Sequence, residues 1–328
     1  MTKTVCIAAK LKKEYAPLIT DILKNYRVLW LEDMAPASRL DALKNADAVL
    51  AALLTMEFSD EEKKVLASAG MVQTMSAGVD QIDFGEVTEK INLYSNVGGW
   101  AHAMAEHALA MALGCTRMLR PQTEALQKGV FKITGYPMRL FGQCTVLIVG
   151  WGGIGKAAAK LFAPFGCRLL ALGRTAPCDS RLVRGYARSE LKEALAQADI
   201  VLLSIPHSNL THHMIDAEAL AAMKEDAILV NVARAELINH DALYSHLQSH
   251  PKFFAALDVW WQERRHYPAE GDPLIRLPNV IGSAHNSYVS PTARAEAVTN
   301  ALNNVVAYLE GRPTKGRVKI DEYRKKEG

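Results

Sequence analysis

A glycine-rich turn between an apolar strand and a helix of small residues constrains the fold more than any other feature. Residues 144–149 read as a buried strand, Gly-Trp-Gly-Gly-Ile-Gly follows at residues 150–155, and residues 156–165 are predicted to be helical. In this context the first glycine permits a tight turn, the second admits a pyrophosphate, and the third lets the helix approach the strand. The motif therefore predicts a dinucleotide site at the helix N-terminus, with contacts from Gly150, Gly152, Gly153, Ile154 and Gly155.

The end of the next strand bears on the choice between NAD and NADP. The predicted strand at residues 168–172 is followed by Gly173, Arg174 and Thr175, and no carboxylate occurs before Asp179. NAD sites commonly place an acidic residue there to bind the ribose hydroxyls. Here Arg174 can instead pair with a 2′-phosphate and Thr175 can donate a hydrogen bond to it, so both are predicted cofactor contacts. A solvated arginine at the end of a strand is the ordinary alternative. The missing acid favours NADP as the cofactor, with NAD possible.

Length and composition exclude several classes of protein. The chain has 328 residues, which favours two domains, and 49% hydrophobic with 22% charged residues is typical of a globular protein. The net charge of +3 gives no case for nucleic acid or an anionic membrane as a partner, and no apolar run reaches about 18 residues. The five cysteines include no C-x-x-C pair and read as reduced thiols. We therefore expect a cytoplasmic protein without a structural metal.

Strand and helix patterns alternate in two blocks, which predicts an α/β protein with parallel sheets. In the first block we predict strands at residues 4–9, 27–31, 48–53, 71–75 and 91–95, and helices at residues 14–25, 38–45 and 59–67. The second block runs from residue 142 to about residue 283. A long helix at residues 101–119, ended by Pro121, separates the blocks, and a tail helix begins at Ser290 and Pro291.

Three chemically useful side chains follow successive strands of the second block. Arg234 follows the strand at residues 227–233, Glu263 lies beyond the next, and His285 lies beyond the short strand at residues 279–282. Each alone has an ordinary reading as a surface charge or a structural histidine. Ligands of open α/β sheets bind at the carboxyl ends of strands, so the three together predict an active site. Arginine can bind and polarise a 2-keto acid, histidine can donate a proton to its carbonyl oxygen, and the glutamate can orient the imidazole.

The chain resembles the D-isomer-specific 2-hydroxyacid dehydrogenases over nearly its whole length. The resemblance rests on Gly150–Gly155, on Asn231-Val-Ala-Arg234, on Leu257-Asp-Val259 with Glu263, on Leu277-Pro-Asn-Val280 leading to His285, and on Asn96–Gly99 with Ala105-Glu106-His107. It implies a Rossmann cofactor domain, residues 99–288, inserted into a flavodoxin-like substrate domain, residues 1–98 plus 289–328. It also implies a homodimer that pairs through the cofactor domain.

The resemblance further implies roles for particular residues. Arg234, Glu263 and His285 correspond to the catalytic set, and the glycine loop Ser76, Ala77 and Gly78 corresponds to the segment that binds substrate together with Arg234 and His285. The remaining cofactor contacts would come from Pro206 on the adenosine side and from Asn231, Val232, Ala233 and Asp258 near the nicotinamide.

Several positions depart from the family pattern. Ala284 and Arg264 replace prolines that are common beside the histidine and the glutamate, and Trp100, Trp260 and Trp261 are bulkier than usual. The first two changes bear on the geometry of the loops that carry His285 and Glu263. The tryptophans suggest a small or apolar-tailed substrate, although the rings could equally be packing residues.

The most concrete expectation is an NADP-preferring reductase of small 2-keto acids, of the glyoxylate or hydroxypyruvate kind. The alternatives are a dinucleotide-sensing protein similar to the corepressors of this fold, and a formate or phosphite dehydrogenase of the same superfamily. Glu263 counts against a formate enzyme, which normally carries glutamine there. His207, His212, His213 and Asp216 fit no standard metal spacing, and His240, His246 and His250 read as exposed helix positions.

Overall fold

The computed structural model describes residues 2–54, 57–85, 90–261 and 272–324, and the chain divides into two compact units. The first unit comprises Met1–Trp100 and Ser290–Gly328, and the second is Ala101–Val289. Within the described ranges, no helix combines the length and the apolar character that crossing a bilayer requires.

The first unit is built on a five-stranded parallel sheet. Its strands are β1 (Thr4–Ile7), β2 (Arg27–Trp30), β3 (Ala48–Ala51), β4 (Met71–Thr74) and β5 (Leu93–Tyr94), in the order β2-β1-β3-β4-β5. This is the order of flavodoxin-like folds. The helices between these strands are α1 (Lys12–Ile22), α2 (Pro36–Lys44) and α3 (Asp60–Val65). The predicted capping box of α3 is present, because the hydroxyl of Ser59 accepts from the Glu62 amide while the Glu62 carboxylate accepts from the Ser59 amide.

The second unit is built on a seven-stranded parallel sheet. Its strands are β6 (Thr145–Val149), β7 (Arg168–Gly173), β8 (Arg184–Ala187), β9 (Ile200–Leu203), β10 (Ile228–Asn231), β11 (Phe254–Leu257) and β12 (Val280–Gly282). Their order, β12-β11-β10-β9-β6-β7-β8, is that of a Rossmann sheet with one added strand. The predicted fold class, a Rossmann domain with a flavodoxin-like domain, is confirmed. In such sheets the ligand crevice lies where the strand order reverses, which here is between β6 and β9.

Six helices of the described part of the second unit accompany this sheet: α4 (Ala101–Thr116), α5 (Leu119–Gln127), α6 (Gly153–Phe162), α7 (Leu191–Gln197), α8 (Ala217–Ala221) and α9 (His240–Ser249). The single helix predicted at residues 101–119 is wrong at its end. Met118 adopts a left-handed conformation with φ of 55°, which breaks the helix into α4 and α5. Pro121 is the third residue of α5, where the missing N–H is tolerated because first-turn amides have no intrahelical acceptor.

The last helix, α10 (Pro291–Leu309), belongs to the first unit. The Ser290 hydroxyl caps it by accepting from the Ala293 amide, and Pro291 occupies its first position, as predicted. Its buried face, which includes Val298, Leu302 and Val305, packs with α1 on the side of the sheet that carries Val5 and Leu50. A separate apolar cluster covers the opposite side of the sheet, so both faces are buried as expected for parallel strands.

Candidate active site

The glycine turn after β6 has the geometry that its sequence predicts. Gly150 has φ of 109°, and a Cβ there would lie 2.7 Å from Cγ2 of Ile205. A Cβ at Gly155 would collide with the carbonyl oxygen of Gly150, so only glycine lets α6 start this close to the strand. The Ser204 hydroxyl, from the end of β9, donates to the carbonyls of Val149 and Gly150 at 3.1 and 3.0 Å. These contacts fix the turn at the point where the strand order reverses.

Open space lies in front of the N-terminus of α6. A Cβ at Gly152, the residue that precedes the helix, would meet no atom within 4 Å. The first-turn amides that follow, including those of Gly153 and Ile154, have no intrahelical acceptor and carry the positive end of the helix dipole. A pyrophosphate needs such donors and such room. The cradle therefore fits a dinucleotide cofactor, which these glycines and Ile154 would hold.

The first carboxylate after β7 is already paired with a cation. Asp179 accepts hydrogen bonds from Nε and Nη2 of Arg181 at 2.7 and 2.6 Å, and Arg181 lowers the pKa of Asp179 to about 2. Arg181 also donates to the carbonyl of Lys156 in α6, and its guanidinium lies 5.5 Å from the centre of the Trp151 ring. The pair thus borders the glycine turn.

The other residues predicted for the adenosine side lie at the ends of strands. Arg174 and Thr175 are exposed immediately after β7. Pro206 is exposed after β9, and its carbonyl accepts from the hydroxyl of Thr211 at 2.8 Å. All three lie at the carboxyl edge of the sheet, and their contact with a cofactor stays a prediction.

Asn231 shapes the turn that carries Arg234. Its side chain is fully buried, its Oδ1 accepts from the Ala233 amide at 3.0 Å, and its Nδ2 donates to the Arg234 carbonyl at 2.8 Å. Nη1 of Arg234 in turn donates to the Ala233 carbonyl at 2.8 Å. Val232 and Ala233 are buried between these groups. The first clear role of Asn231 is therefore to hold the arginine turn, and the predicted cofactor contacts of these residues stay predictions.

His285 lies three residues beyond β12 in an uncommon backbone conformation. Its φ is +49°, a left-handed value that few non-glycine residues adopt, and its amide donates to the Asp258 carbonyl at 2.7 Å. The ring packs edge-on against Tyr288 at 6.1 Å between centroids. Such strain persists only where neighbouring contacts hold it, and it clusters at functional sites.

Arg234 and His285 follow β10 and β12, which both pair with β11. The ends of these two strands are therefore about 10 Å apart along the same edge of the sheet. The structure thus places the predicted cation and the predicted proton donor on the edge that also carries the glycine turn. Glu263, together with Arg264, lies outside the described residues.

Asp258 holds the segment around His285 through its side chain. The carboxylate is fully buried and accepts from the Ser283 hydroxyl at 2.6 Å, from the Asn286 amide at 3.0 Å and from the Ser287 amide at 3.1 Å. Nε2 of His107, from α4, lies 2.8 Å from the Ser283 hydroxyl oxygen. Sequence reasoning named Asp258 only as a cofactor contact and missed Ser283, because a single serine after a strand carries no recognisable signal.

The predicted substrate loop of the first unit follows β4. The hydroxyl of Ser76 donates to the Gly78 carbonyl at 2.7 Å, so the turn closes on itself, and Ala77 is half-buried between them. The residue before the loop is also fixed, since the Met75 carbonyl accepts from the indole N–H of Trp100 at 2.9 Å. Trp100 therefore supports the backbone of this loop, whatever else its ring contacts.

The other tryptophans flagged by the sequence are packing residues in the second unit. Trp260 is buried, and its indole N–H donates to the Ser283 carbonyl at 2.8 Å. A Cβ at Gly282 would lie 2.5 Å from the Trp260 ring, which shows how closely the ring covers β12. Trp261 donates to the Ile238 carbonyl at 3.3 Å and packs edge-on against His240.

The prediction of exposed histidines on α9 is wrong. His246 is half-buried, because its ring stacks on His250 at 4.0 Å and meets the Phe253 ring edge-on at 4.7 Å. His240, the first residue of α9, is also partly buried, because Trp261 packs against its ring. Within the described ranges, no three His, Cys, Asp or Glu side chains form a group that could hold a metal ion.

Comparison with known proteins places this geometry in a family. The family model described as "D-isomer specific 2-hydroxyacid dehydrogenase, NAD binding domain" matches residues 109–287. This range covers more than half of the chain and contains the glycine turn, Arg234 and His285. The chain belongs to the D-isomer-specific 2-hydroxyacid dehydrogenase family.

Relatives of this dehydrogenase match over most of its length. A glyoxylate reductase of Korarchaeum cryptofilum is 30% identical over 290 residues, which are 86% of each chain. A D-lactate dehydrogenase of Lactobacillus delbrueckii subsp. bulgaricus is 26% identical over 92% of this chain and 93% of its own. The solved structure of a D-isomer-specific 2-hydroxyacid dehydrogenase family protein from Aeromonas salmonicida has a TM-score of 0.76 at 25% identity, covering 98% of this chain and 100% of that one. The protein is therefore an oxidoreductase with the family's NAD-binding domain.

Proposed function

We propose that this dehydrogenase reduces small 2-keto acids, of the glyoxylate or hydroxypyruvate kind, to D-2-hydroxy acids with NADPH. The observation that carries the proposal is the arrangement of Arg234 and His285 along the same sheet edge as the glycine turn. A carboxylate next to a carbonyl is the substrate group that a guanidinium and a proton donor at this spacing suit.

In this mechanism the guanidinium of Arg234 binds the substrate carboxylate and polarises the neighbouring carbonyl. The nicotinamide supplies the hydride when the cofactor is bound. His285 donates its proton to the carbonyl oxygen as negative charge develops there, and it takes the proton back in the oxidative direction. Glu263 is proposed to accept a hydrogen bond from the imidazole and so keep it oriented. Its replacement by glutamine is then expected to move the pH profile of reduction to lower pH.

A preference for NADP is supported by the charges beyond β7. Arg174 and Thr175 are exposed directly after β7, on the side proposed for the ribose of the cofactor, and the first carboxylate on this side, Asp179, is neutralised by Arg181. A free carboxylate would repel a 2′-phosphate, whereas a paired one presents little net charge. NAD remains the alternative cofactor.

The first unit is proposed to contribute to substrate binding. We assign the amides of Ser76, Ala77 and Gly78 to the substrate carboxylate, with the loop held by its own hydrogen bond and by Trp100. The boundaries proposed for the substrate domain are residues 1–98 and 289–328, with the cofactor domain between them.

We propose a cytoplasmic homodimer that pairs through the cofactor unit. Support comes from an exposed apolar stretch that spans α5 and the segment after it. Its exposed large side chains are Leu119, Leu126, Val130, Phe131, Ile133, Met138 and Leu140. Exposed large apolar side chains in this number are typical of a protein interface, and a second copy of the chain would cover them.

A panel of keto acids tests the activity, with loss of NADPH or NADH absorbance as the measurement. Glyoxylate and hydroxypyruvate are expected to be turned over fastest, with NADPH preferred. Pyruvate, a branched 2-keto acid and formate with the oxidised cofactors serve as comparisons. Tight NADPH binding without turnover of any compound would instead support the dinucleotide-sensing alternative.

A further inference from the structure

The buried carboxylate of Asp258 connects α4 to the segment that carries His285. Leu257 and Gly282 are register partners in β11 and β12, so the next residues, Asp258 and Ser283, leave the sheet side by side. The hydroxyl of Ser283 donates to Oδ1 of Asp258 at 2.6 Å, and Oδ1 also accepts from the Asn286 amide. Side-chain hydrogen bonds thus continue the pairing of β11 and β12 beyond the ends of these strands.

The direction of these hydrogen bonds shows which ring nitrogen of His107 carries a proton. The single hydroxyl proton of Ser283 is used by Asp258, so the 2.8 Å contact between Ser283 Oγ and His107 Nε2 requires the ring nitrogen to donate. His107 Nε2 is also 3.8 Å from Oδ1 of Asp258, and the Asp258 side chain has no exposed surface. The Asp258 carboxylate accepts from the Ser283 hydroxyl and from the Asn286 and Ser287 amides, and a buried carboxylate needs such donors because each unpaired acceptor costs free energy.

The segment that these contacts hold is the strained one. His285 lies between Ser283 and Asn286, both bonded to the Asp258 side chain, and its own amide donates to the Asp258 carbonyl. Hydrogen bonds to a single residue, Asp258, therefore hold the backbone on both sides of His285 and maintain its left-handed φ. We expect the loss of one of these hydrogen bonds to let the segment relax towards an ordinary backbone conformation and so to move the imidazole.

We propose that His107 and Ser283 are positioning residues that act through Asp258 to hold the His285 imidazole in place for proton transfer. The inference rests on the proposed role of His285. His107 and Ser283 themselves contact neither substrate nor cofactor in this scheme. Their contribution is geometric, and an error of about 1 Å in the position of a reacting group can reduce turnover by about 100-fold.

Four variants separate positioning from structural support. Ser283→Ala and His107→Leu remove the chain of hydrogen bonds, whereas Ser283→Thr keeps the hydroxyl and His107→Gln keeps an N–H donor of similar reach. We expect the first pair to lower kcat for glyoxylate reduction by about 10- to 100-fold with the KM for NADPH unchanged, and the second pair to restore most of the activity. Glu106→Gln, at the exposed residue beside His107 on the same helix, is the matched control and is expected to behave as wild type.

Hydrogen–deuterium exchange tests the same inference without turnover. Ser283→Ala and His107→Leu are expected to speed exchange in residues 283–289, with other segments and the melting temperature little changed. Unchanged exchange in that segment and unchanged kcat in both variants would overturn the inference, as would a loss spread over the whole second unit. If wild type reduces no keto acid, the proposed function fails, while the exchange measurement still decides whether this network holds the segment.

Discussion

Arg181 binds the carboxylate of Asp179 side-on, with hydrogen bonds of 2.7 and 2.6 Å from Nε and Nη2. A third bond comes from the Arg181 amide at 3.1 Å. Because the same guanidinium also donates to the Lys156 carbonyl in the first part of α6, the pair is anchored beside the glycine turn. A carboxylate that would otherwise repel a phosphate is thereby neutralised where a cofactor phosphate is proposed to bind.

Removal of the Arg181 side chain is therefore expected to weaken NADPH binding more than NADH binding. In Arg181→Ala the Asp179 carboxylate loses its partner and repels the 2′-phosphate. We expect the KM for NADPH to rise by about 5-fold, which corresponds to the free energy of an exposed ion pair. The double variant Arg181→Ala, Asp179→Asn removes that charge and should recover most of the affinity. Steady-state kinetics with both cofactors measure the effect, and equal changes for NADPH and NADH would contradict it.

Arg234 is expected to be required for turnover and dispensable for cofactor binding. Arg234→Ala removes the donors proposed for the substrate carboxylate and carbonyl, so kcat/KM for glyoxylate should fall by at least about 1000-fold. Arg234→Lys keeps the charge without the bidentate geometry and should recover only part of the activity. NADPH binding, followed by fluorescence titration, should stay within about 2-fold in both variants. Near-full activity of Arg234→Ala would remove the residue from the mechanism.

Much of the fold could be predicted because its signals are local. The capping box of Ser59 and Glu62, the cap at Ser290 and the glycine turn each depend on residues a few positions apart. The break between α4 and α5 could not be predicted in this way. It depends on the left-handed conformation of Met118, a residue without a turn signature, while Pro121 lies harmlessly in the first turn that follows.

The candidate site likewise contains residues that local sequence signals predict and contacts that they do not. Arg234 and His285 could be found because they follow recognisable strands, but the contact between Ser283 and Asp258 depends on the register of Leu257 with Gly282. Register between distant strands is set by packing and is not written in a short segment.

Two glycine substitutions are expected to separate packing from cofactor binding. A Cβ at Gly155 meets the Gly150 carbonyl, a backbone atom that cannot move aside, so Gly155→Ala should destabilise the protein by about 1–3 kcal/mol. A Cβ at Gly152 meets nothing within 4 Å, so Gly152→Ala should leave stability unchanged and weaken NADPH binding alone. Urea unfolding and NADPH titration measure the two effects. A stable Gly155→Ala, or a Gly152→Ala that binds NADPH as wild type does, would contradict the assignment.

Stability is expected to fall in mild acid because of His246. Burial, with a smaller contribution from His250, lowers the pKa of His246 from 6.5 to about 4. Between these values the unfolded chain binds a proton that the folded chain does not, so the free energy of unfolding decreases as the pH falls from 6.5 towards 4. With allowance for solvent screening we expect a loss of roughly 1 kcal/mol. His246→Phe should show a shallower decrease in melting temperature between pH 7 and pH 5, and an identical decrease would contradict the assignment.

The exposed apolar stretch after α4 is expected to determine the oligomeric state. Phe131 and Ile133 are 78% and 82% exposed, an arrangement that favours cover by a second copy. Phe131→Asp with Ile133→Asp places two charges in the proposed interface and should convert the proposed dimer to a monomer, as measured by sedimentation velocity. Val183→Asp, at a similarly exposed apolar residue outside the stretch, should remain dimeric. A wild type that sediments as a monomer, or a double variant that remains a dimer, would show that another surface or none mediates pairing.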